Sequence, residues 1–269
     1  MKTVFITGAS SGIGRQTAKL FQSKGWNVIA TMRHPGQETE LNALDHVAVL
    51  PCDVTDGASI QNAVEQGIKI FGSIDVLVNN AGYYTLGALE TFSAEQVRQQ
   101  INTNLLGVID MTREILPYFR RQRSGVIVNL SSIAGVISVP LQSLYHATKW
   151  GIEGFSESLQ YELSPFHIRV KIIEPGVIRT DFFSRSMVAP THGQIGDYEE
   201  YTRKVTANIL GNGQNGSDPS GVAETIYKAA TDHKNRLRYP TGNSKNFAAL
   251  RALLPARLFI ELTKLTMEQ

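Results

Sequence analysis

One cysteine in 269 residues excludes an internal disulfide. Cys52 is expected as a buried apolar thiol, and no histidine is placed to make it a nucleophile. A single unpaired thiol suits a reducing compartment, so the expected location is the cytoplasm. Charge bias is also missing. Twenty-six lysines and arginines face 24 acidic residues, a net charge of +2, too balanced to imply nucleic acid or an acidic surface as partner. No apolar run approaches the ~20 residues of a membrane span. The three apolar residues ahead of Gly8 fall far short of a secretory leader. No Pro/Ser-rich linker and no internal repeat interrupts the chain, so residues 1–269 read as a single domain. The six histidines lack ligand spacing; His146 and His167 are expected at the surface or one layer behind a site, and no metal is required.

What the chain does have is alternation. Short apolar runs at Thr3–Thr7, Asn27–Met32, Val47–Pro51, Asp75–Asn79, Val126–Leu130 and Arg169–Glu174 are separated by helical stretches. Runs such as Val126-Ile-Val-Asn-Leu130 do not alternate apolar with polar, as expected when both faces of a sheet are covered. The expected fold class is α/β, a doubly wound parallel sheet of about seven strands with helices on both faces. Ser93-Ala-Glu-Gln96 is a capping box that opens a helix. Asp218-Pro219 places an N-cap before an N1 proline, opening another helix over about 220–233. The segment from Phe182 to Gly216 breaks the rhythm. It is long and rich in glycine and asparagine (Gly193, Gly196, Asn208, Gly211, Asn212, Gly213). Leaving the sixth strand at its C-terminal end, it reads as a substrate lid; the alternative is a surface insertion.

The first strand runs into Thr7-Gly8-Ala9-Ser10-Ser11-Gly12-Ile13-Gly14 and then an apolar-periodic helix. Strand, glycine turn and helix form the context of a phosphate cradle. The glycines allow backbone N–H groups to approach pyrophosphate, and the helix N-terminus adds partial positive charge. The spacing is G-x-x-x-G-x-G rather than G-x-G-x-x-G, and here the chain resembles the short-chain dehydrogenase/reductase family, whose fingerprint is T-G-x-x-x-G-x-G. Further matches follow in order: Asn79-Asn80-Ala81-Gly82, Asn104-Leu-Leu-Gly107, Ser132, Tyr145-x-x-x-Lys149 and Pro175-Gly176. The resemblance is strong to about Thr180 and looser beyond. Ala30-Thr31-Met32-Arg33 and Tyr145-His-Ala-Thr-Lys-Trp-Gly151 are most similar to the hydroxysteroid and retinol dehydrogenase-like branch. The resemblance implies a Rossmann-type fold and an oxidoreductase that moves hydride between a nicotinamide cofactor and a carbonyl or alcohol.

Cofactor choice is read at the end of the second strand. A site for NAD places a carboxylate there to bind the ribose hydroxyls, whereas NADP requires a cation for the 2′-phosphate. Thr31-Met32-Arg33 offers no carboxylate, and the planar fork of Arg33 suits a phosphate. The expected cofactor is therefore NADP(H). By resemblance, Asp53-Val54 sits at the adenine, Asn80-Ala81-Gly82 lines the adenosine side of the cleft, and Thr180, just past Pro175-Gly176, reaches the carboxamide.

Carbonyl reduction needs a proton as well as a hydride. Tyr145 can supply it, and Lys149 lies four residues on, on the same helix face, where an ammonium would stabilise phenolate. Ser131 and Ser132 are chemically equal; Ser132 is chosen because its spacing to Tyr145 matches the family. By resemblance, Asn104 anchors a water that links Lys149 to solvent. Apolar segments at the cleft mouth, Tyr83–Leu86, Val136–Leu141 and Phe182-Phe183, suit a hydrophobic ketone, aldehyde or secondary alcohol; ordinary packing is the alternative. The stretch Phe247–Thr266 is expected as a helix apolar on one side, packed on the body or a neighbouring subunit, with interfacial membrane contact as the alternative. By resemblance, helices near Gln96–Arg121 and Thr148–Ser164 form a dimer or tetramer interface. The rival from another class is a regulatory protein that binds cofactor without catalysis.

Overall fold

Val4, Phe5 and Ile6 are apolar at successive positions, so a strand made of them must be covered on both faces. In the computed structural model, which describes residues 1–179, 187–191, 195–214 and 216–267, they lie in β1 (Thr3–Ile6), and all three are buried. The chain continues through α1 (Gly12–Ser23), β2 (Asn27–Met32), β3 (Val47–Pro51), α2 (Gly57–Phe71), β4 (Val76–Asn79) and the short β5 (Tyr84–Thr85). Then come α3 (Ala94–Ile101), a π-helical turn at Asn102–Leu106, α4 (Gly107–Gln122), β6 (Gly125–Leu130) and α5 (Ser143–Leu163). The remaining elements are β7 (Ile168–Pro175), β8 (Met187–Val188), α6 (Gly196–Gln214), α7 (Pro219–Thr231), β9 (Arg238–Thr241), α8 (Ser244–Leu253) and α9 (Ala256–Met267).

Seven strands form one parallel sheet in the order β3-β2-β1-β4-β6-β7-β9. The order reverses between β1 and β4, which opens a crevice at the C-terminal strand ends, where open α/β sheets bind ligands. One apolar core packs α1 and α7 on one face through Phe21, Val222 and Ile226; the other packs α2, α4 and α5 on the opposite face through Ile60, Met111 and Leu159. This is the Rossmann-type architecture expected from the alternation. β5 and β8 pair separately, Tyr84 with Met187 and Thr85 with Val188. Among the described residues no helix is long and apolar enough to cross a membrane.

Local signals hold where they were read. Ser93 and Gln96 form the reciprocal capping box of α3, and Asp218 accepts from the Ser220 N–H ahead of Pro219 in α7. The six expected strands appear within one residue of their bounds. β9 carries Pro240 at the sheet edge, where a missing N–H is tolerated but erases the strand pattern.

Two expectations change. The stretch Phe247–Thr266 is not one helix. Leu254, ahead of Pro255, is held extended at φ −91°, ψ 139°, because the proline ring excludes the helical region for its predecessor, and the chain restarts as α9. The long connection after the sixth strand is largely helix α6, despite Asn208, Gly211, Asn212 and Gly213 in its last turns. Burial of Val205 and Ile209 outweighs the poor local propensity. Phe182 and Phe183 lie outside the described residues.

Candidate active site

Thr7 follows β1, its hydroxyl accepting the N–H groups of Asn80 and Ala81, both at 3.0 Å. The Asn80 amide donates back to the carbonyls of Thr7 (2.9 Å) and Gly8 (3.0 Å). This closes β1 against the loop after β4 and sets the height of the glycine turn. Gly8 has φ +66° and Gly12 +52°, where L side chains are strained. A Cβ on Gly14 would stand 2.3 Å from the Gly8 carbonyl oxygen and 2.5 Å from the Asn80 amide nitrogen. Helix and turn therefore approach to a distance only glycine allows.

The turn fits a dinucleotide phosphate. Ser10 and Ser11 are half-buried, the Ser11 side chain does not cap α1, and no acidic residue occupies its first turn. The helix N–H groups thus face the crevice, and a hollow of about 380 Å³ adjoins them, lined by Ser11, Gly12, Arg15, Lys19 and Arg179 together with Glu40, which pairs with Arg15 and Lys19. Ile13 packs its side chain on the core beneath.

Arg33 is exposed just past β2, and its charge reaches Asp53. Burial tends to raise the Asp53 pKa, but hydrogen bonds from the Thr55 N–H (2.9 Å) and hydroxyl (2.7 Å), with Arg33, leave it below its ordinary value. Val54 is buried tightly against Gly107. Glu38, a carboxylate five residues past Arg33, was overlooked in the sequence. It is buried and committed: Arg15 binds it at 2.5 Å, and it accepts from the Glu40 and Leu41 N–H groups. It is therefore not a free acceptor at the strand end.

Lys149 is buried in α5, one helical turn from Tyr145. Its ammonium donates to the Leu130 carbonyl at the end of β6 (2.7 Å) and sits 5.6 Å from the centre of the Tyr145 ring. Burial pushes Lys149 down to about 8, although Glu153 on the next turn pulls it up. Burial raises the Tyr145 phenol above its ordinary value, opposed by a hydrogen bond from Ser132. Tyr145 is thus held as the neutral phenol, the form that can give a proton. Ser132 accepts from the Ala134 N–H at 3.1 Å, which orients its hydroxyl. Ser131 is buried behind the loop, facing Glu153 and Gly135. The structure places Ser132, not Ser131, against Tyr145.

Asn104 lies in the π turn, a device frequent at functional sites. Its side chain bonds Tyr83 twice, accepting the Tyr83 N–H (3.0 Å) and donating to the Tyr83 carbonyl (2.8 Å), and a Cβ on Gly82 would stand 3.2 Å from its oxygen. Pro175 ends β7. Gly176 passes so near Asn243 that a Cβ would meet its side-chain oxygen at 1.9 Å. Thr180 lies outside the described residues.

His146 takes the inner of its two expected places, one layer behind the site. It is buried rather than superficial: Nδ1 bonds the Ala134 carbonyl (2.8 Å) and Nε2 accepts the Val139 N–H (3.0 Å). It pins the two ends of the loop that follows Ser132, and burial keeps it neutral. Only its place beside Tyr145 could have signalled this. His167 is exposed. Around Tyr145 the walls are apolar. Tyr84 meets it edge to face at 5.1 Å, and Leu86, Leu141, Val205, Ile209, Met187 and Met267 complete the cluster. An adjoining hollow of about 360 Å³ is lined by Ala88, Leu89, Leu141, Tyr198 and Tyr201 among others.

A glycine cradle at the sheet crevice, facing a Ser132–Tyr145–Lys149 constellation, agrees with what similarity finds. Residues 2–189 match the short chain dehydrogenase family. The chain belongs to that family. A curated relative, the 3-ketodihydrosphingosine reductase of Bacteroides thetaiotaomicron, is 40% identical over 225 residues, covering 84% of this chain and 82% of the relative. A solved short-chain dehydrogenase from Streptomyces avermitilis superposes with a TM-score of 0.84 at 32% identity, covering 98% of this chain and 97% of its own. A family member from Burkholderia phymatum, solved in complex with NAD, also superposes at 0.84, with 25% identity and 97% and 94% coverage. Another similar structure, ElxO, holds NADP (TM-score 0.74, 26% identity, 91% and 99% coverage). This chain is an oxidoreductase of the family, and its cofactor class is a nicotinamide dinucleotide.

Proposed function

We propose that the protein is an NADP(H)-dependent enzyme that reduces a hydrophobic ketone or aldehyde, or oxidises the corresponding alcohol, with Tyr145 as general acid/base. The observation that carries this reading is the convergence of Ser132 and Lys149 on a buried, neutral Tyr145 inside an apolar cluster. The cofactor, when bound, supplies or accepts the hydride. Ser132 donates a hydrogen bond to the substrate oxygen and fixes its distance from Tyr145. Tyr145 gives that oxygen its proton as charge develops there, and the Lys149 ammonium stabilises the phenolate left behind. Asn104, whose side chain also bonds Tyr83, anchors a water that links Lys149 to solvent. Gly8, Ser10–Gly14, Asp53, Val54, Asn80–Gly82, Pro175, Gly176 and Thr180 hold the dinucleotide, and Arg33 takes the 2′-phosphate.

The relative named for a 3-keto substrate supports a carbonyl as the reacting group, and the walls around Tyr145 support an apolar body on it. These features are compatible with the hydroxysteroid and retinol dehydrogenase-like branch. α6 forms the described part of a substrate lid over a single 1–269 domain. Exposed Leu106, Trp150 and Tyr161 support a homodimer or homotetramer through α4 and α5, in a cytoplasmic setting.

The test is turnover on a panel of apolar and polar carbonyls with NADPH and NADH. Tyr145→Phe should lose about 10²–10⁴-fold in kcat while still binding cofactor. Arg33→Ala should lose about 1.5–3 kcal/mol of NADPH affinity, the scale of a charge-assisted contact, and little for NADH. Cofactor binding without turnover on any substrate would instead favour a regulatory protein, and equal losses for both cofactors would remove Arg33 from the 2′-phosphate.

A further inference from the structure

Fifteen large apolar side chains are exposed among the described residues, and seven of them lie on α8 and α9, which hold only 22 residues together. The pattern is ordered. Phe247, Leu250 and Leu253 repeat every third position on α8 and are 41%, 42% and 82% exposed. Leu258, Leu262 and Leu265 are spaced four and three apart on α9 and are 47%, 40% and 57% exposed. Positions three and four apart share a helix face, so each helix carries an uncovered apolar stripe. The flank of α9 at Phe259 is packed, while Ile260, outside the stripe, is also uncovered at 52% exposure. Phe259 is buried, with Arg251 over its ring at 5.5 Å, and the Met267 carbonyl accepts from Asn208 of α6 at 3.0 Å. The stripes are left over after the helices have packed. They form a contiguous run of chain whose apolar content is out of proportion for a soluble surface.

Charge selects the occupant. Four of the 26 basic residues and two of the 24 acidic ones lie after residue 242. The remainder balances at 22 of each, so the chain's whole excess of two positive charges falls on this segment. Arg257 and Lys264 lie on α9 about a third of a turn from the leucine stripe, and Lys264 pairs with Glu261 at 3.3 Å, which leaves the net charge of the segment positive. Apolar residues flanked by cations on a helix match the boundary of an anionic bilayer, where leucines enter the acyl region and cations meet headgroups. A second copy packed stripe to stripe would instead bring two such basic rows together. The segment is also tied to the site at both ends. Asn243 accepts from the Val177 N–H and Ser244 donates to the Glu174 carbonyl, gripping the Pro175-Gly176 turn, while Met267 joins the cluster around Tyr145.

We infer that α8 and α9 form an interfacial docking surface for an anionic lipid bilayer, which brings the apolar cluster around Tyr145 to the membrane boundary. The experiment is flotation of the full chain with vesicles of phosphatidylcholine, with and without phosphatidylglycerol. The expected result is binding to the anionic vesicles and much weaker binding to the neutral ones. Leu258→Gln/Leu262→Gln/Leu265→Gln should reduce binding at least about ten-fold. Arg257→Gln/Lys264→Gln should reduce it roughly twenty-fold on anionic vesicles and hardly at all on neutral ones, about five-fold per charge. These positions are outside the catalytic and cofactor machinery, so circular dichroism and NADPH binding serve as folding controls. A single variant, Leu262→Gln, gives the same reading if the triple variant fails to fold. Absence of vesicle binding by the unaltered chain overturns the inference. So does a leucine variant that binds normally, or one whose only change is a smaller particle by light scattering, which would assign the stripe to a second copy. None of these outcomes depends on whether Tyr145 is the proton donor.

Discussion

The cofactor side of the crevice and the substrate side are built by different means. On the cofactor side, Thr7, Gly8, Asn80, Ala81 and Gly14 meet through hydrogen bonds of about 3 Å from the Thr7 and Asn80 side chains to backbone and through contacts that admit no Cβ. On the substrate side, α6 and α9 are held by a few apolar side chains, Val205, Ile209 and Met267, around Tyr84 and Tyr145. Hydrogen bonding to backbone groups and steric exclusion are directional and intolerant. Apolar burial is non-directional and can be repacked. The contrast puts the directional contacts at the glycine turn and the adaptable ones around Tyr145.

The largest expected effect breaks the rigid side. Gly14→Ala puts a methyl 2.3 Å from the Gly8 carbonyl oxygen. It should cost more than about 3 kcal/mol in stability, above the usual range for overpacking because backbone must move, and should abolish dinucleotide binding. Thermal unfolding and cofactor titration measure both. A variant with unchanged Tm that merely binds cofactor weakly would show that the turn yields freely.

The next probes the joint between the two sides. Arg238 on β9 reaches Glu153 of α5 at 3.0 Å and Glu174 of β7 at 3.5 Å, which brings two buried carboxylates together. Burial first, then the neighbouring Glu153, raise Glu174 from 4.5 to about 7. A carboxyl whose folded pKa lies above its unfolded one costs nothing below the unfolded value. Its penalty grows between about 4.5 and 7 and is complete above that. Glu174→Gln should therefore be more stable than the unaltered protein above pH 7, by up to about 3 kcal/mol, and equal to it below 4.5. Denaturation across that range is the measurement; a constant difference at every pH would mean Glu174 does not titrate there.

The smallest effect sharpens the contrast. Ile209→Val removes one methylene from the α6 contact and should cost about 1 kcal/mol. Hydrogen exchange should quicken about five-fold in α6 and leave β1 and β4 unchanged. Equal acceleration in both would show that the two sides open as one unit.

Most of the frame was legible in the sequence because its causes are local. Unbroken apolar runs mark strands covered on two faces, Ser93 and Gln96 cap a helix three residues apart, and the four-residue step from Tyr145 to Lys149 puts both on one face of α5 whatever surrounds them. The T-G-x-x-x-G-x-G turn was legible because its glycines answer a steric demand within one turn of chain. The short β9 was not, since Pro240 removes its pattern.

By itself, then, the sequence determined the strands, the helix ends, the glycine turn and the Tyr145–Lys149 pair. Tertiary structure decided what depends on distant partners. It turned Ser132 toward Tyr145 and Ser131 toward Glu153, and it buried His146 between Ala134 and Val139. It also occupied Glu38 with Arg15, 23 residues earlier, and made a helix of the glycine- and asparagine-rich α6. Local periodicity and sterics act over a few residues and can be read along the chain. Burial and pairing draw on residues as far apart as Glu153 and Arg238, 85 positions along, and only the folded chain brings those together.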